Sequence, residues 1–126
     1  KISDDEIEFM TGEKDIKTGV KKLIDEYHIP FICATMGKNG SMAFFDGHIV
    51  EAAPFLRDDT VETTGAGDTF CACLLHDVLE HGIYDRKDGD VKKMLTFANA
   101  AASLITTRKG ALRVMPEKGE VEAVIK

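Results

Sequence analysis

Clustered basic residues, membrane-length apolar runs and paired cysteines are all missing from this chain of 126 residues. Adjacent basic residues, such as Lys21-Lys22, Lys92-Lys93 and Arg108-Lys109, occur only as isolated pairs, and the formal net charge is -6. That balance argues against a nucleic-acid or anionic-membrane surface. It does not argue against a nucleotide, because local amides and a bound cation decide such a contact. No apolar run approaches the roughly 18 residues that span a bilayer. Cys33, Cys71 and Cys73 are odd in number and form no C-x-x-C pair, the usage of free thiols in a reducing compartment, and a cytoplasmic location is expected. Cys71 and Cys73 stand two apart on an expected helix, point to different sides, and read as ordinary packing. His28, His48, His76 and His81 lack metal-ligand spacing. A Walker loop, G-x-x-x-x-G-K-[ST], is absent, and Phe70 stands where a dinucleotide fingerprint needs its third glycine. There is no internal repeat and no low-complexity linker.

What is present is an ordinary globular composition, 44% apolar and 30% charged, at a length that fits one domain. Ser3-Asp4-Asp5-Glu6 is a capping box, with Ser3 at the cap and Glu6 reaching back to its amide. A short helix is expected from there to about Met10, stopped by Gly12. A second helix fits 14–27, with Ile16, Val20, Leu23, Ile24 and Tyr27 at helical spacing. The unbroken apolar run Phe31 to Met36 reads as a buried strand of a parallel sheet. Met42 to Phe45 and His48 to Ala52 flank Asp46-Gly47, a strong hairpin signal. A further strand is expected before Glu62. Residues 66–81 form a helix with apolar residues on most sides, hence mostly buried. A longer helix fits 88–106, and a short one follows Pro116. Strand and helix alternation gives an α/β class with a mainly parallel sheet. The chain opens directly on a helix cap and its strands make a thin sheet, so the expectation is a fragment.

The richest segment is Glu62-Thr63-Thr64-Gly65-Ala66-Gly67-Asp68-Thr69-Phe70. Small residues let the backbone approach an anion. The amides of a first helical turn have no helical partners, and the helix dipole adds about half a positive charge there. Gly65, Ala66 and Gly67 therefore build an anion hole suited to a group that gains charge during transfer. Asp68 lies within that turn. It either complements the dipole or serves as general base for a substrate hydroxyl.

Thr63 to Phe70 resembles the second signature of the ribokinase-like (phosphofructokinase-B) family of sugar kinases. In that family the aspartate is the base and the G-A-G amides form the anion hole; those roles fall on Asp68 and on Gly65, Ala66 and Gly67. The family usually has Asp at the position of Glu62, where many members build a monovalent-cation site, so the resemblance implies a potassium region there. Lys1 to Glu6 with Met10-Thr11-Gly12 resembles the family's K-x-N-x-x-E segment, whose Glu orders Mg²⁺ through water. Glu6 matches that residue, and Ser3 stands where many members have Asn. Thr35-Met36-Gly37-Lys38-Asn39-Gly40 resembles the loop that contacts the ATP phosphates. Thr35, Gly37 and Gly40 carry that expectation, and Lys38 reads equally well as a solvated loop lysine. Phe97 to Ala102 resembles the late helix whose Asn or His borders adenine, a role for Asn99, which otherwise reads as a helix residue facing water. Thr107 to Ala111 resembles the following loop, whose carbonyls line the nucleotide region around Gly110. Arg108 and Lys109 there also suit a helix C-terminus.

The resemblance runs from Ser3 to the Pro116-Glu117 region and looks most similar to fructokinases. It implies the C-terminal portion of a ribokinase-like three-layer α/β/α sandwich. The N-terminal half, the lid and most sugar-binding residues would then lie outside this chain. The implied activity is ATP-dependent phosphorylation of a sugar hydroxyl, fructose first, with ATP, Mg²⁺ and K⁺ as cofactors. The implied partners are a small-molecule sugar and ATP, with no nucleic acid and no membrane, and a homodimer is compatible. Two alternatives stay open: another acceptor, such as a nucleoside, ketodeoxygluconate or tagatose phosphate, or a non-catalytic nucleotide-binding module.

Overall fold

The computed structural model describes residues 1–126. Strand β1 (Ile2–Ser3) leads at once into helix α1 (Asp4–Thr11). The expected capping box is there: the Glu6 amide donates to Ser3 Oγ at 3.2 Å, and the Ser3 amide donates to Glu6 Oε2 at 2.7 Å. Gly12 ends α1 in the left-handed region at φ 74°. Helix α2 (Ile16–Tyr27) starts two residues later than the periodicity predicts, because Asp15 accepts the Thr18 amide at 2.8 Å and caps it. Strand β2 (Phe31–Thr35) follows, then one 3-10 turn over Gly37–Asn39, then β3 (Ser41–Phe45) and β4 (His48–Ala52). Asp46 and Gly47 both have positive φ, at 47° and 74°, as a two-residue hairpin turn of the I′ kind needs. Helices α3 (Ala66–His81), α4 (Asp88–Ile105) and α5 (Lys118–Ile125) complete the chain. No helix is long and apolar enough to cross a membrane.

The sheet order is β1-β2-β3-β4. Its sequence of directions corrects one expectation. Only β1 and β2 run parallel, while β2-β3 and β3-β4 are antiparallel. A parallel pair needs a crossover of a dozen or more residues. Helices α1 and α2 supply it between β1 and β2, but the turns at Gly37–Asn39 and Asp46-Gly47 are too short for one. A second correction concerns the strand expected before Glu62. Residues 53–65 form no strand; the Val61 and Glu62 amides both donate to the Thr106 carbonyl, at 2.8 and 3.2 Å.

The three layers follow from strand alternation. Ile32, Ala34, Met42 and Phe44 face α1 and α2, where they pack with Ile7, Val20 and Leu23. Cys33, Ala43, Phe45, Val50 and Ala52 face the other way and pack with Phe70 and Leu74 of α3 and Val91, Met94, Leu95 and Ala98 of α4. Each fully buried aliphatic side chain contributes about 1.5–3 kcal/mol. Helix α5 lies over α4 through Val121. Arg86, with a side chain only 5% exposed, binds Asp77 at 2.7 Å and the Gly82 carbonyl at 2.9 Å, pinning the end of α3. Helix α3 departs from the mostly buried helix expected of it: Leu75 is 59% exposed and Leu79 86%. One of its faces meets the sheet and α4, and its outer apolar face has no neighbour within the chain.

Burial alone pushes the Cys73 thiol up to about 11, and burial chiefly pushes the Cys33 thiol up to about 12, from an ordinary 9.0. Two outcomes follow. Native-state alkylation near pH 8, read peptide by peptide, should label half-buried Cys71 well before Cys33 and Cys73. Unfolding exposes thiols that ionise near 9, so stability should fall as pH rises from about 9 toward 12 and be unaffected by these thiols below that window. Early labelling of Cys33 in the native protein would mean that the inner face of β2 is open.

Candidate active site

The turn that opens α3 is built by Gly65. It adopts φ 82°, and a Cβ there would come 3.1 Å from the Ala111 side chain and 3.3 Å from Ile105. Only glycine combines that dihedral with that close approach. The Ala66 amide donates to the Thr63 carbonyl at 3.2 Å and the Thr69 amide to the Gly65 carbonyl at 2.9 Å. The Gly67 and Asp68 amides have no backbone acceptor, and both residues are exposed. Of the Gly65-Ala66-Gly67 trio read from sequence, only the Ala66 amide is engaged by a backbone carbonyl, and the Asp68 amide joins the open donors. They lie at the positive end of a 16-residue helix, with the Asp68 carboxylate in the same turn.

Glu62 fixes this turn from behind. Its Oε1 accepts the Gly110 amide at 2.6 Å, and its own amide donates to Thr106. The start of α3 is therefore tied to the loop after α4, bringing together Glu62, Gly65 and Gly110. Arg108 does not cap α4. It reaches the Val114 carbonyl at 3.0 Å and the Glu120 carboxylate, holding that loop against α5.

A second group gathers at the carboxyl end of β2. Thr35 pairs with Ser41 in β3 and with Ser3 in β1. The turn beyond it closes when the Met36 amide donates to the Gly40 carbonyl at 2.9 Å. Gly40 has φ 89°, and a Cβ there would fall 2.2 Å from the Ala52 carbonyl oxygen. Gly37 has φ 52° and open space around it. Asn99 does not face water: it is 9% exposed, and its amide nitrogen donates to the Ala52 and Ala53 carbonyls at 3.3 and 2.9 Å. It ties α4 to the chain leaving β4, beside Gly40.

The two groups meet through β1. Ser3, paired with Thr35, holds Glu6, and the Lys1 ammonium lies 3.4 Å from where a Gly67 Cβ would be. Hydrogen bonds from the Ser3 amide and with its side chain, and then the Lys1 charge, hold the Glu6 carboxyl below the usual carboxylate range. Sequence reasoning gave Lys1 no role, because its reach across to α3 depends on which side of β1 it occupies. Ser41 was missed too; its hydroxyl is fully buried without a partner, and residue type alone carries no such signal. A groove of about 770 Å³ lies elsewhere, among His76, Asp77, Arg86, Met94, Phe97 and Val121, and none of the candidate residues lines it.

Chemically, the arrangement offers open amides, a helix dipole, one carboxylate in position to accept a proton, and glycine-rich turns that admit phosphate. Residues 1–118 match the model of the pfkB family carbohydrate kinases. A probable fructokinase of Arabidopsis thaliana is 31% identical over 126 residues, covering 100% of this chain and 38% of that protein. A fructokinase structure from Vibrio cholerae O395, bound to fructose, ADP and calcium, superposes with a TM-score of 0.82 at 25% identity, over 98% of this chain and 39% of that one. An Arabidopsis thaliana ribokinase structure complexed with ribose and ATP gives 0.79 at 27% identity, over 100% and 41%. The chain spans about two fifths of the length of these relatives.

Proposed function

Because the chain belongs to the pfkB family of carbohydrate kinases, we propose that it is the C-terminal nucleotide-binding and catalytic portion of a sugar kinase. The reaction is transfer of the γ-phosphoryl group of ATP to a sugar hydroxyl, with fructose as acceptor. The observation that carries this reading is the first turn of α3, where the Gly67 and Asp68 amides are open beside the Asp68 carboxylate. Asp68 takes the hydroxyl proton as oxygen attacks phosphorus. The amides of Gly65, Gly67 and Asp68, open in this turn, hold the developing charge, where preorganised donors act most strongly. Thr35, Gly37 and Gly40 shape the loop facing the phosphates. Asn99 borders the adenine side, and the Gly110 loop closes it.

The donor set fits magnesium carried by the nucleotide rather than caged by protein. No three metal-ligating side chains cluster anywhere in the chain. Glu6 is an ionised carboxylate fixed in orientation by Ser3, suited to a water-mediated contact. When bound, Mg²⁺ would offset the charge of the phosphates. Glu62 has one oxygen committed to Gly110; its other oxygen and the neighbouring loop carbonyls are the donors a potassium ion would use.

Fructose is favoured by the relatives' names and by the fructose-bound neighbour. The ribose-bound neighbour supports a pentose as second reading. The exposed outer face of α3, with Leu75 and Leu79, supports a partial sandwich that the rest of a longer protein covers. The test is ADP release from MgATP by the complete protein across a panel of fructose, ribose, other sugars and nucleosides. Fructose-dependent turnover is expected, with none from residues 1–126 alone. Turnover with ribose alone would move the acceptor. ATP binding without turnover on any acceptor would favour a binding module.

A further inference from the structure

Protein groups hold the loop after α4 from two sides. On the α5 side, the Arg108 guanidinium donates to the Val114 carbonyl at 3.0 Å and reaches the Glu120 carboxylate. Glu120 also accepts the Glu117 amide at 2.7 Å, so the end of the loop is fixed to the first turn of α5. On the α3 side, the Thr106 carbonyl takes the Val61 and Glu62 amides, and the half-buried Glu62 takes the Gly110 amide at 2.6 Å. What this last bond positions lies beside it. The Ala111 side chain stands 3.1 Å, and that of Ile105 3.3 Å, from where a Gly65 Cβ would be. The Gly65 carbonyl receives the Thr69 amide at 2.9 Å and so sets how α3 begins. A path of contacts therefore runs from Glu62 through Gly110, Ala111 and Gly65 to the open Gly67 and Asp68 amides. A carboxylate can hold such a loop by sharing a cation with its carbonyls or by bonding one of its amides directly. Length decides here. A carboxylate one methylene shorter would draw back by about one carbon–carbon bond, beyond hydrogen-bond distance of that amide.

We propose that Glu62 is a positioning residue that closes the Gly110 loop on the α3 turn by a direct hydrogen bond, which makes turnover by this kinase largely independent of a monovalent cation. The inference rests on the kinase reading above and deepens it. Glu62 touches neither the substrates nor the reacting atoms, and nothing is transferred to or from its carboxylate. It acts through Gly110, Ala111 and Gly65 on the turn at Asp68. Its second oxygen stays available to a potassium ion, but an ion there would find the loop already closed.

The experiment uses the complete protein with Glu62→Asp and Glu62→Gln, each in potassium chloride and in tetramethylammonium chloride of equal ionic strength. Tetramethylammonium is too bulky to sit among carboxylate and carbonyl oxygens. Steady-state kinetics with MgATP are measured beside thermal midpoints and hydrogen exchange of the peptide that carries Gly110. The parent is expected to keep its kcat and the protection of that peptide when potassium is withdrawn. Glu62→Asp should lose both in tetramethylammonium, kcat by about tenfold, the factor that one charge-assisted hydrogen bond is worth. Potassium should restore most of both, because the shorter carboxylate leaves the loop for the ion to close. Glu62→Gln keeps the length and an acceptor oxygen, so it should protect the peptide in either salt. A parent that loses turnover and protection without potassium would overturn the inference and leave the kinase reading standing. So would a Glu62→Asp variant that matches the parent in both salts. Equal losses in both salts, with a lowered midpoint, would mark Glu62 as structural only and overturn it too. A parent that turns over no acceptor in either salt would sink the kinase reading, and the claim on turnover with it; hydrogen exchange needs no turnover and would still decide whether Glu62 closes the loop.

Discussion

Asp68→Asn in the complete protein is expected to lower kcat by about 10²–10⁴-fold, the range typical of a positioned general base, with nucleotide affinity retained. The substitution keeps size and shape and removes the one group in the turn that can accept a proton. Its structural cost is small. Asp68 is exposed, makes no hydrogen bond or ion pair, and contributes to α3 only through the dipole, a term of about 0.3–1 kcal/mol. Such a loss is well below typical domain stabilities of about 5–15 kcal/mol, so any collapse of turnover is chemical rather than structural. Affinity for ATP should hold or rise, because a negative charge leaves the vicinity of the phosphates. Steady-state kinetics with fructose, beside calorimetric ATP binding, separate the two quantities. An Asn variant with parental kcat would return Asp68 to the role of a dipole partner and leave the turn as a binding element.

Much of the frame was legible because local chemistry decided it. Ser3 and Glu6 specify the start of α1 by hydrogen bonds three residues apart, and Gly12 specifies its end. Asp46-Gly47 specifies the β3-β4 hairpin because both dihedrals must be positive. The failures lie where tertiary partners decide. A continuous apolar run such as Phe31 to Met36 shows that β2 is covered on both faces, yet it is silent on the direction of its neighbours. Direction was set by the short turn at Gly37–Asn39. Val61 and Glu62 read as a strand end, but their amides found the Thr106 carbonyl 44 to 45 residues away in sequence. The alternative reading of Asn99 as a helix residue facing water failed because helical spacing alone cannot reveal that the carbonyls of Ala52 and Ala53 need a donor. In the site, the glycine turn was legible as a motif. Which of its amides are open, and that Lys1 faces them, required the register of β1 on β2.

The same contrast between motif and environment separates the two glycines of the loop after β2. Gly40→Ala is expected to destabilise the protein severely, and Gly37→Ala only mildly. Gly40 adopts φ 89° and ψ -142°, a region that is essentially glycine-only, and strain of that kind costs on the order of 1–3 kcal/mol. Its new Cβ would also stand 2.2 Å from the Ala52 carbonyl oxygen and 3.1 Å from the Pro54 nitrogen. Both are backbone atoms, and Asn99 holds the same Ala52 carbonyl, so the neighbour has little freedom to yield. Overpacking of that sort adds about 1–3 kcal/mol. Gly37, at φ 52° with nothing within 4 Å of its Cβ, carries only the left-handed cost of about 1–2 kcal/mol. Urea unfolding of the complete protein should therefore rank Gly40→Ala well below Gly37→Ala. The functional outcome should not follow stability. Gly37→Ala leaves the loop folded but thickens its open side, so a raised KM for ATP in that variant would locate the phosphates against Gly37. An unchanged KM there, with ATP affinity lost only in Gly40→Ala, would make this loop a structural brace and leave phosphate binding to the turn at Asp68.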